Sequence, residues 1–128
     1  MKKKIIFIIF IVIVLLIDGI VIAFLLNNVL KVEKFNVSEY SSFIEEFSSD
    51  MVLGEVSSPK VAKEKAEMVW IEIYGDDVKK KKPYRVSYDE SNKVWLVQGS
   101  LPIWMLGGFP NIIIRESDGK VLAVWRYK

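Results

Sequence analysis

Two stretches of sequence decide the fold: residues 84–98, YRVSYDESNKVWLVQ, and residues 111–127, NIIIRESDGKVLAVWRY. Apolar and polar side chains alternate in the first stretch, as they do along a strand with one buried face. A Ser-Asn pair at 91–92 interrupts this stretch and suits a turn, while Asp118-Gly119 interrupts the second stretch and is a strong hairpin signal. The sequence therefore predicts four antiparallel strands, with the last two joined as a hairpin.

Two helices are predicted ahead of these strands. Residues 38–51 place apolar side chains at spacings of three and four, and Ser38 is a candidate N-cap. Residues 57–75 carry a stronger signal, because Ser58 can cap the helix, Pro59 suits its first position and Gly75 supplies an end. The predicted buried faces are Tyr40, Phe43, Ile44, Phe47 and Met51 in the first helix, and Ala62, Ala66, Val69 and Ile73 in the second. Trp70 and Tyr74 lie beside the second face and either broaden it or mark its edge. Helices followed by strands indicate an α+β domain with helices packed on an antiparallel sheet.

Upstream of this domain, residues 5–26 form the apolar stretch IIFIIFIVIVLLIDGIVIAFLL behind three lysines. A helix of this length reaches about 33 Å at about 1.5 Å per residue, which spans a hydrocarbon core of about 30 Å. Asp18 costs about 3 kcal/mol on insertion scales, and the surrounding apolar residues outweigh it at about 0.3 to 0.6 kcal/mol each. Residues 1–30 are predicted to be a signal anchor with the N-terminus cytoplasmic and the C-terminal domain extracytoplasmic, because lysines stay on the cytoplasmic side.

A cleaved signal peptide is the alternative for this segment, since Val21 and Ala23 have the small side chains found before cleavage sites. The stretch is longer than the apolar region of such peptides, usually about 7 to 15 residues, which favours retention. Asp18 is either a tolerated polar residue or a functional intramembrane acid. Residues 31–37 are predicted to be a juxtamembrane linker, and residues 38–128 the exported domain.

The composition of the exported part limits its function. Three of the eighteen basic residues and one of the sixteen acidic residues lie in the first 30 positions, so the remainder has no net charge. Its charge therefore gives no argument for nucleic-acid binding. The chain has no cysteine and no histidine, and so lacks thiols, the usual general base and the commonest metal ligand. We expect no catalytic residue, cofactor, metal or small-molecule substrate.

Residues 100–111, SLPIWMLGGFPN, separate the second and third predicted strands. The adjacent glycines at 107–108 permit backbone angles closed to other residues, and predict a bend or bulge. The large apolar side chains of this segment either cover the core or form an exposed patch for a protein contact. The predicted partner contacts are Tyr84, Trp104, Phe109 and Trp125.

Five short elements of the sequence resemble the NTF2-fold immunity proteins of bacterial polymorphic toxin systems. In chain order they are Ile73-Tyr74-Gly75, Lys82-Pro83-Tyr84, WLVQGSLP at 95–102, Gly107-Gly108 and DGKVL at 118–122. The likeness covers about residues 56–125, whereas the last residues, WRYK at 125–128, depart from the His-Gly-Lys-like tail of many members. The resemblance implies a cone-shaped domain with a curved antiparallel sheet wrapped against helices, and a task of neutralising a cognate toxin by binding it. It transfers no catalytic residue.

The leading functional hypothesis is therefore a membrane-anchored immunity protein that neutralises its cognate toxin by occlusion. An alternative is an anchored accessory module similar to small PepSY-like domains, which share a helix followed by strands and a DGKV-like hairpin and would bind an envelope enzyme. An enzyme or a small-molecule-binding cone is a third hypothesis, which a deep cavity lined by polar groups would favour.

Overall fold

The computed structural model describes residues 2–101 and 107–127. The chain divides into two compact units, with the boundary between Lys31 and Val32. The first unit is one helix, α1 (Lys2–Leu30). By length and composition, Lys2–Ala23 could cross a membrane, and a signal sequence near the N-terminus would meet the same criteria.

The second unit, here called the C-terminal domain, is a five-stranded mixed sheet with helices. Its elements are β1 (Val32–Lys34), α2 (Ser41–Glu46), α3 (Pro59–Tyr74), β2 (Arg85–Asp89), β3 (Val94–Gln98), β4 (Pro110–Arg115) and β5 (Val121–Arg126), with 3-10 turns at Val37–Tyr40 and Asp76–Lys81. The strands lie in the order β1-β2-β3-β4-β5; β1 is parallel to β2, and the other neighbours are antiparallel. The α+β class and the four C-terminal strands are confirmed.

The segment predicted as a linker, residues 31–37, contains the short strand β1. Val32, Glu33 and Lys34 pair in register with Val86, Ser87 and Tyr88. A strand of three residues is too short to show alternation, and all three of its side chains are exposed. Its partner lies more than fifty positions further along the chain, so no local pattern predicts the pairing.

The structure confirms the predicted ends of α3. The Ser58 hydroxyl accepts a hydrogen bond from the Val61 N–H at 3.2 Å, and Pro59 occupies the first turn. The helix ends at Gly75, whose φ of +88° lies in the left-handed region that favours glycine.

The buried face of α3 differs from the prediction at one position. Ala62, Ala66 and Val69 are buried as predicted, but Ile73 is 46% exposed and Trp70 is fully buried instead. The Trp70 indole Nε1 donates to the Asn111 carbonyl at 3.4 Å. Trp70 follows Ala66 by four positions, so the buried stripe turns toward Trp70 rather than continuing to Ile73.

The first predicted helix is shorter than expected. Asn36 rather than Ser38 is the cap, since its side chain accepts from the Ser38 N–H. The chain then forms a 3-10 turn before α2, which ends at Glu46. Serines around α2 are poor helix formers, and so short a helix depends on its packing. The predicted apolar face does pack on the sheet, except for Met51, which lies beyond the helix and contacts the opposite core.

The two helices lie against opposite faces of the sheet, so the sheet is buried on both sides. The α3-side core contains Val56, Ala62, Ala66, Val69, Trp70, Val78, Tyr84, Val86, Trp95, Val97, Ile112, Ile114 and Val121. The α2-side core contains Val94, Leu96, Ile113, Ala123 and Trp125, with Phe35, Val37, Tyr40, Phe43, Ile44, Phe47 and Leu122 packed against it. The central strands are therefore buried on both faces, as strands covered by helices on both sides are expected to be.

Residues 47–56, here called the edge segment, cover the outer edge of the sheet at β5. The backbone N–H groups of Val124 and Val121 donate to the carbonyls of Phe47 and Met51, at 3.2 and 2.9 Å. Further along, the N–H groups of Leu53, Gly54 and Val56 donate to the carbonyls of Gly119, Asp118 and Glu116. This segment connects α2 to α3 and satisfies backbone groups that an uncovered edge would leave exposed.

The β4-β5 hairpin contains an ion pair. Arg115 Nε and Nη2 donate to the two carboxylate oxygens of Asp118 at 2.9 and 2.5 Å, and the Lys120 N–H donates to Asp118 Oδ1 at 3.0 Å. These bonds, chiefly that from Arg115, hold the pKa of Asp118 well below its usual range. A lowered pKa means that the ionised carboxylate stabilises the fold above the unfolded pKa, about 3.9.

We expect this stabilisation to disappear as the pH falls below about 4 toward the lower pKa of the folded state. Asp118→Asn should lower the melting temperature of the full chain at pH 7, and the difference from wild type should shrink in acid. Thermal unfolding in detergent from pH 7 down to pH 2 measures this difference. Asp50→Asn, at an exposed carboxyl, is the control. A constant difference across the whole pH range would contradict the prediction.

Candidate protein-binding surface

Seven aromatic side chains form a continuous series of ring contacts on the α2 side of the sheet. This aromatic cluster comprises Phe35, Tyr40, Phe43, Phe47, Phe109, Trp125 and Tyr127. At its centre Phe43 stacks on Trp125, with ring centroids 4.7 Å apart and an interplanar angle of 25°. Stacked aromatic pairs of this kind stabilise by about 0.5 to 1.5 kcal/mol beyond the area they bury.

Sequence spacing brings these rings together. Phe43 and Phe47 lie four positions apart at α2, one helical turn, so they contact each other at 6.3 Å and both stack on Trp125. Tyr127 follows Trp125 by two positions and contacts Phe43 edge-on at 6.3 Å. Phe109, just before β4, reaches the cluster through Tyr127 at 5.2 Å.

The aromatic cluster has a buried centre and an exposed end. Trp125 is 3% exposed, whereas Tyr127 is 41% exposed and Phe109 is half-buried. We call Phe109 and Tyr127 the exposed aromatic pair. Large aromatic side chains that are partly accessible and supported from beneath are typical anchors of protein interfaces.

Polar groups beside the cluster fix the position of Phe109. Asn111 is fully buried, and its Nδ2 donates to the Phe109 carbonyl at 3.1 Å, while its Oδ1 accepts from Gln98 Nε2 at 2.9 Å. The Tyr127 N–H also donates to the Phe109 carbonyl at 3.3 Å. These bonds hold both members of the exposed aromatic pair before any partner arrives, which reduces the entropy lost on binding.

Two further features mark the interior of the cluster. Within the described part of the chain, Trp125 Nε1 is the buried side-chain nitrogen or oxygen that lacks a hydrogen-bond partner. Such an unsatisfied donor costs about 1 to 3 kcal/mol, which the surrounding ring contacts must offset.

Burial, followed by the nearby Tyr127 and Glu39, raises the pKa of Tyr40 above its ordinary value. The Tyr40 hydroxyl is therefore protonated at neutral pH.

Tyr84 lies on the other face of the sheet, in the α3-side core. It is 7% exposed, its ring meets Trp70 edge-on at 5.2 Å, and its hydroxyl donates to the Val78 carbonyl at 3.4 Å. Burial and a hydrogen bond with Glu67 raise the pKa of Tyr84 well above 10. Glu67 in turn forms an ion pair with Lys82 at 3.3 Å. These contacts make Tyr84 a structural residue of the core.

The four predicted contact residues therefore have different positions. Phe109 and Trp125 belong to one cluster, but Trp125 is covered by its neighbours. Tyr84 is buried in the opposite core. In the folded domain, Trp125 and Tyr84 are therefore not available to a partner. Trp104 lies outside the described residues. Sequence reasoning missed Tyr127, although its two-residue spacing from Trp125 placed both on one face of a strand.

Asp89 is a further buried polar residue, and its hydrogen bonds hold the fold. Asp89 accepts from the Val37 N–H at 2.9 Å and from Asn92, and these bonds lower the pKa of Asp89. This pairing connects the first 3-10 turn to the end of β2. Over residues 2–101 and 107–127, the structure has no group of three or more histidine, cysteine or acidic side chains that could hold a metal ion.

Comparison with known families adds an independent finding. A family model described as "NTF2 fold immunity protein" matches residues 61–128, just over half of the chain, from the first turn of α3 onward. The match includes Phe109, Trp125 and Tyr127, whereas the cluster members at β1 and α2 precede it. No curated protein and no solved structure matches the chain.

Proposed function

The chain belongs to the NTF2 fold immunity protein family, and from this premise we propose that it is a membrane-anchored immunity protein that binds a cognate toxin and neutralises it by occlusion. Family membership is the observation that carries this proposal, since it supports a toxin-neutralising role in general. The finer elements of the proposal are the anchor, the side of the membrane and the contact surface.

The anchor is supported by α1. Its residues Lys2–Ala23 are long and apolar enough to cross a bilayer, and three lysines precede the apolar stretch. The positive-inside rule keeps those lysines in the cytoplasm and delivers the C-terminal domain outside. The domain begins at Val32, so cleavage near Ala23 would release it intact. Immunoblotting of the mature chain for the loss of about 23 residues therefore separates retention from cleavage.

The contact surface that we propose is centred on the exposed aromatic pair. A stable complex buries about 800 Å² on each partner, with a few aromatic anchors near its centre. Phe109 and Tyr127 are accessible and held in place, as such anchors are. Trp104 stays a proposed contact, since it lies in the segment between β3 and Phe109.

The experiment pairs the full chain with the toxin encoded by the neighbouring gene. We expect expression of the chain to protect cells from that toxin, and the chain purified in detergent to bind it. The toxin should regain activity once the complex dissociates, because occlusion leaves it chemically intact. Absence of both protection and binding would overturn the proposal, and irreversible modification of the toxin would overturn occlusion.

The contact surface leads to a prediction about affinity. Tyr127→Ala and Phe109→Ala should each weaken toxin binding at least about tenfold, the usual effect of losing an interface anchor. Titration calorimetry with the full chain measures the dissociation constant. Met68→Ala is the matched control, because Met68 is 53% exposed on α3 and lies outside the proposed surface. Equal losses in all three variants would contradict the assignment.

A further inference from the structure

Asp18 is the only polar side chain in residues 5–23 of α1, where every other residue is isoleucine, phenylalanine, valine, leucine, glycine or alanine. At about 1.5 Å per residue, Asp18 lies about 20 Å from Ile5 and about 12 Å from Leu26 along the helix axis. An aspartate side chain is too short to reach either membrane surface from there. In a spanning helix the carboxyl group therefore lies in hydrocarbon, where its hydrogen-bonding capacity needs a partner.

Small residues form the stripe next to Asp18 on the helix surface. Gly19 and Ala23 are four positions apart, as are Asp18 and Ile22, so the four residues form one contiguous surface. We call it the Asp18 face. A Cβ atom added at Gly19 would meet no other atom within 4 Å, so the helix backbone is accessible at this position. Small residues at this spacing let two membrane helices approach closely.

Resting on the membrane anchoring proposed above, we propose that α1 pairs with α1 of a second copy of this chain through the Asp18 face. Two copies inserted in the same orientation place their Asp18 carboxyl groups at the same depth. A carboxyl group has a hydroxyl donor and a carbonyl acceptor, so two carboxyl groups held together each supply the hydrogen-bond partner that the other lacks. A two-fold pair needs a surface that is complementary to itself. The Asp18 face meets this requirement, because Asp18 can face Asp18 of the second copy while the small residues of the two helices pack against each other.

Pairing of the anchors has a functional consequence. It would display two C-terminal domains side by side, and two linked binding sites hold a multivalent or surface-bound toxin more tightly than one. The rest of the helix supports this choice of face, because the opposite side carries Ile13, Ile17 and Ile20, which are bulky and apolar. Lipid satisfies such side chains as well as a second helix does.

Energy transfer between labelled full chains in liposomes tests the pairing. The natural chain has no cysteine, so Ser42→Cys supplies a single labelling site on the C-terminal domain for a donor or an acceptor dye. We expect transfer to depend on the protein-to-lipid ratio, as a reversible pair requires. Asp18→Leu and Gly19→Ile should each lower the association constant about threefold to thirtyfold. Asp18→Asn should keep most of the pairing, because an amide both donates and accepts.

Ile17→Phe is the matched control, since it changes bulk on the opposite face, and it should leave the association constant unchanged. Equal transfer in wild type, Asp18→Leu and Gly19→Ile would overturn the proposal. Capture of a different membrane protein through Asp18, with no transfer between copies, would also overturn it. Liposome flotation and toxin binding are measured on the same samples. Failure of flotation overturns the anchor itself, whereas flotation and toxin binding without transfer overturn the pairing alone.

Discussion

Replacing Gly119 with alanine is expected to remove a large part of the stability of the C-terminal domain. Gly119 has a φ of +70°, and a Cβ atom there would overlap the backbone of Gly54 in the edge segment. That backbone cannot yield without breaking the bonds from Leu53 to Gly119 and from Gly54 to Asp118. We expect a loss of about 4 kcal/mol or more, the range of exceptional single substitutions. A domain of this size has a total stability of about 5 to 15 kcal/mol.

Gly54→Ala separates the two causes of this loss. Gly54 also has a positive φ, +85°, but a Cβ atom there meets nothing within 4 Å. It should cost only the strain of a left-handed alanine, about 1 to 2 kcal/mol. Urea unfolding of the full chain in detergent, followed by tryptophan fluorescence, measures both variants. Equal losses would show that the close approach between Gly119 and Gly54 is unimportant.

Trp125→Ala is expected to destabilise the domain by about 3 to 5 kcal/mol, as truncation of a buried tryptophan usually does. The substitution removes the ring on which Phe43 and Phe47 stack, and with it the main contact that holds α2 on the sheet. Trp125 Nε1 has no hydrogen-bond partner among the described residues. The loss should therefore come from packing and not from a broken hydrogen bond.

Tyr127→Ala is the matched control for this prediction. Tyr127 belongs to the same cluster but is 41% exposed, so its truncation should cost about 1 kcal/mol or less. Urea unfolding measures stability, and titration with the toxin measures affinity. We expect Trp125→Ala to lower chiefly the free energy of unfolding, and Tyr127→Ala to lower chiefly the affinity for the toxin. A well-folded Trp125→Ala chain with impaired binding would mean that Trp125 contacts the toxin directly.

Local signals in the sequence were sufficient for α3 and for the four C-terminal strands. Ser58, Pro59 and Gly75 act within one helical turn of themselves, and the Asp118-Gly119 turn joins neighbouring strands. The choice of Trp70 over Ile73 as a buried residue was not predictable from spacing, because both positions fit a helical stripe. Contacts with Tyr84 and with the Asn111 carbonyl decide it.

Features that depend on distant pairing were missed. β1 is too short to show a pattern, and the edge segment has no regular secondary structure over most of its length. Its role arises from hydrogen bonds to residues sixty or more positions away. The sequence predicted helices packed on an antiparallel sheet, without assigning a face to each helix. In the structure β1 makes the sheet mixed, and α2 and α3 cover its opposite faces.

The candidate surface was predictable in composition but not in exposure. Aromatic residues near the C-terminus were expected to contact a partner, and Phe109 lies where such a contact is possible. Burial of Tyr84 and Trp125 follows from the helices that pack over them, and amphipathic patterns do not show which face of a sheet each helix will cover. Tyr127 lies just beyond the end of β5 and contacts the rings of Phe43 and Phe109.

The hydrogen bonds from the edge segment to β5 also constrain how the protein is made. Phe47 and Met51 leave the ribosome long before Val121 and Val124, the residues that complete their hydrogen bonds. A nascent chain therefore carries an unfinished sheet until its final residues have been synthesised. A transcript truncated before Val121 would yield a polypeptide that proteases can degrade, so a folded domain depends on complete translation.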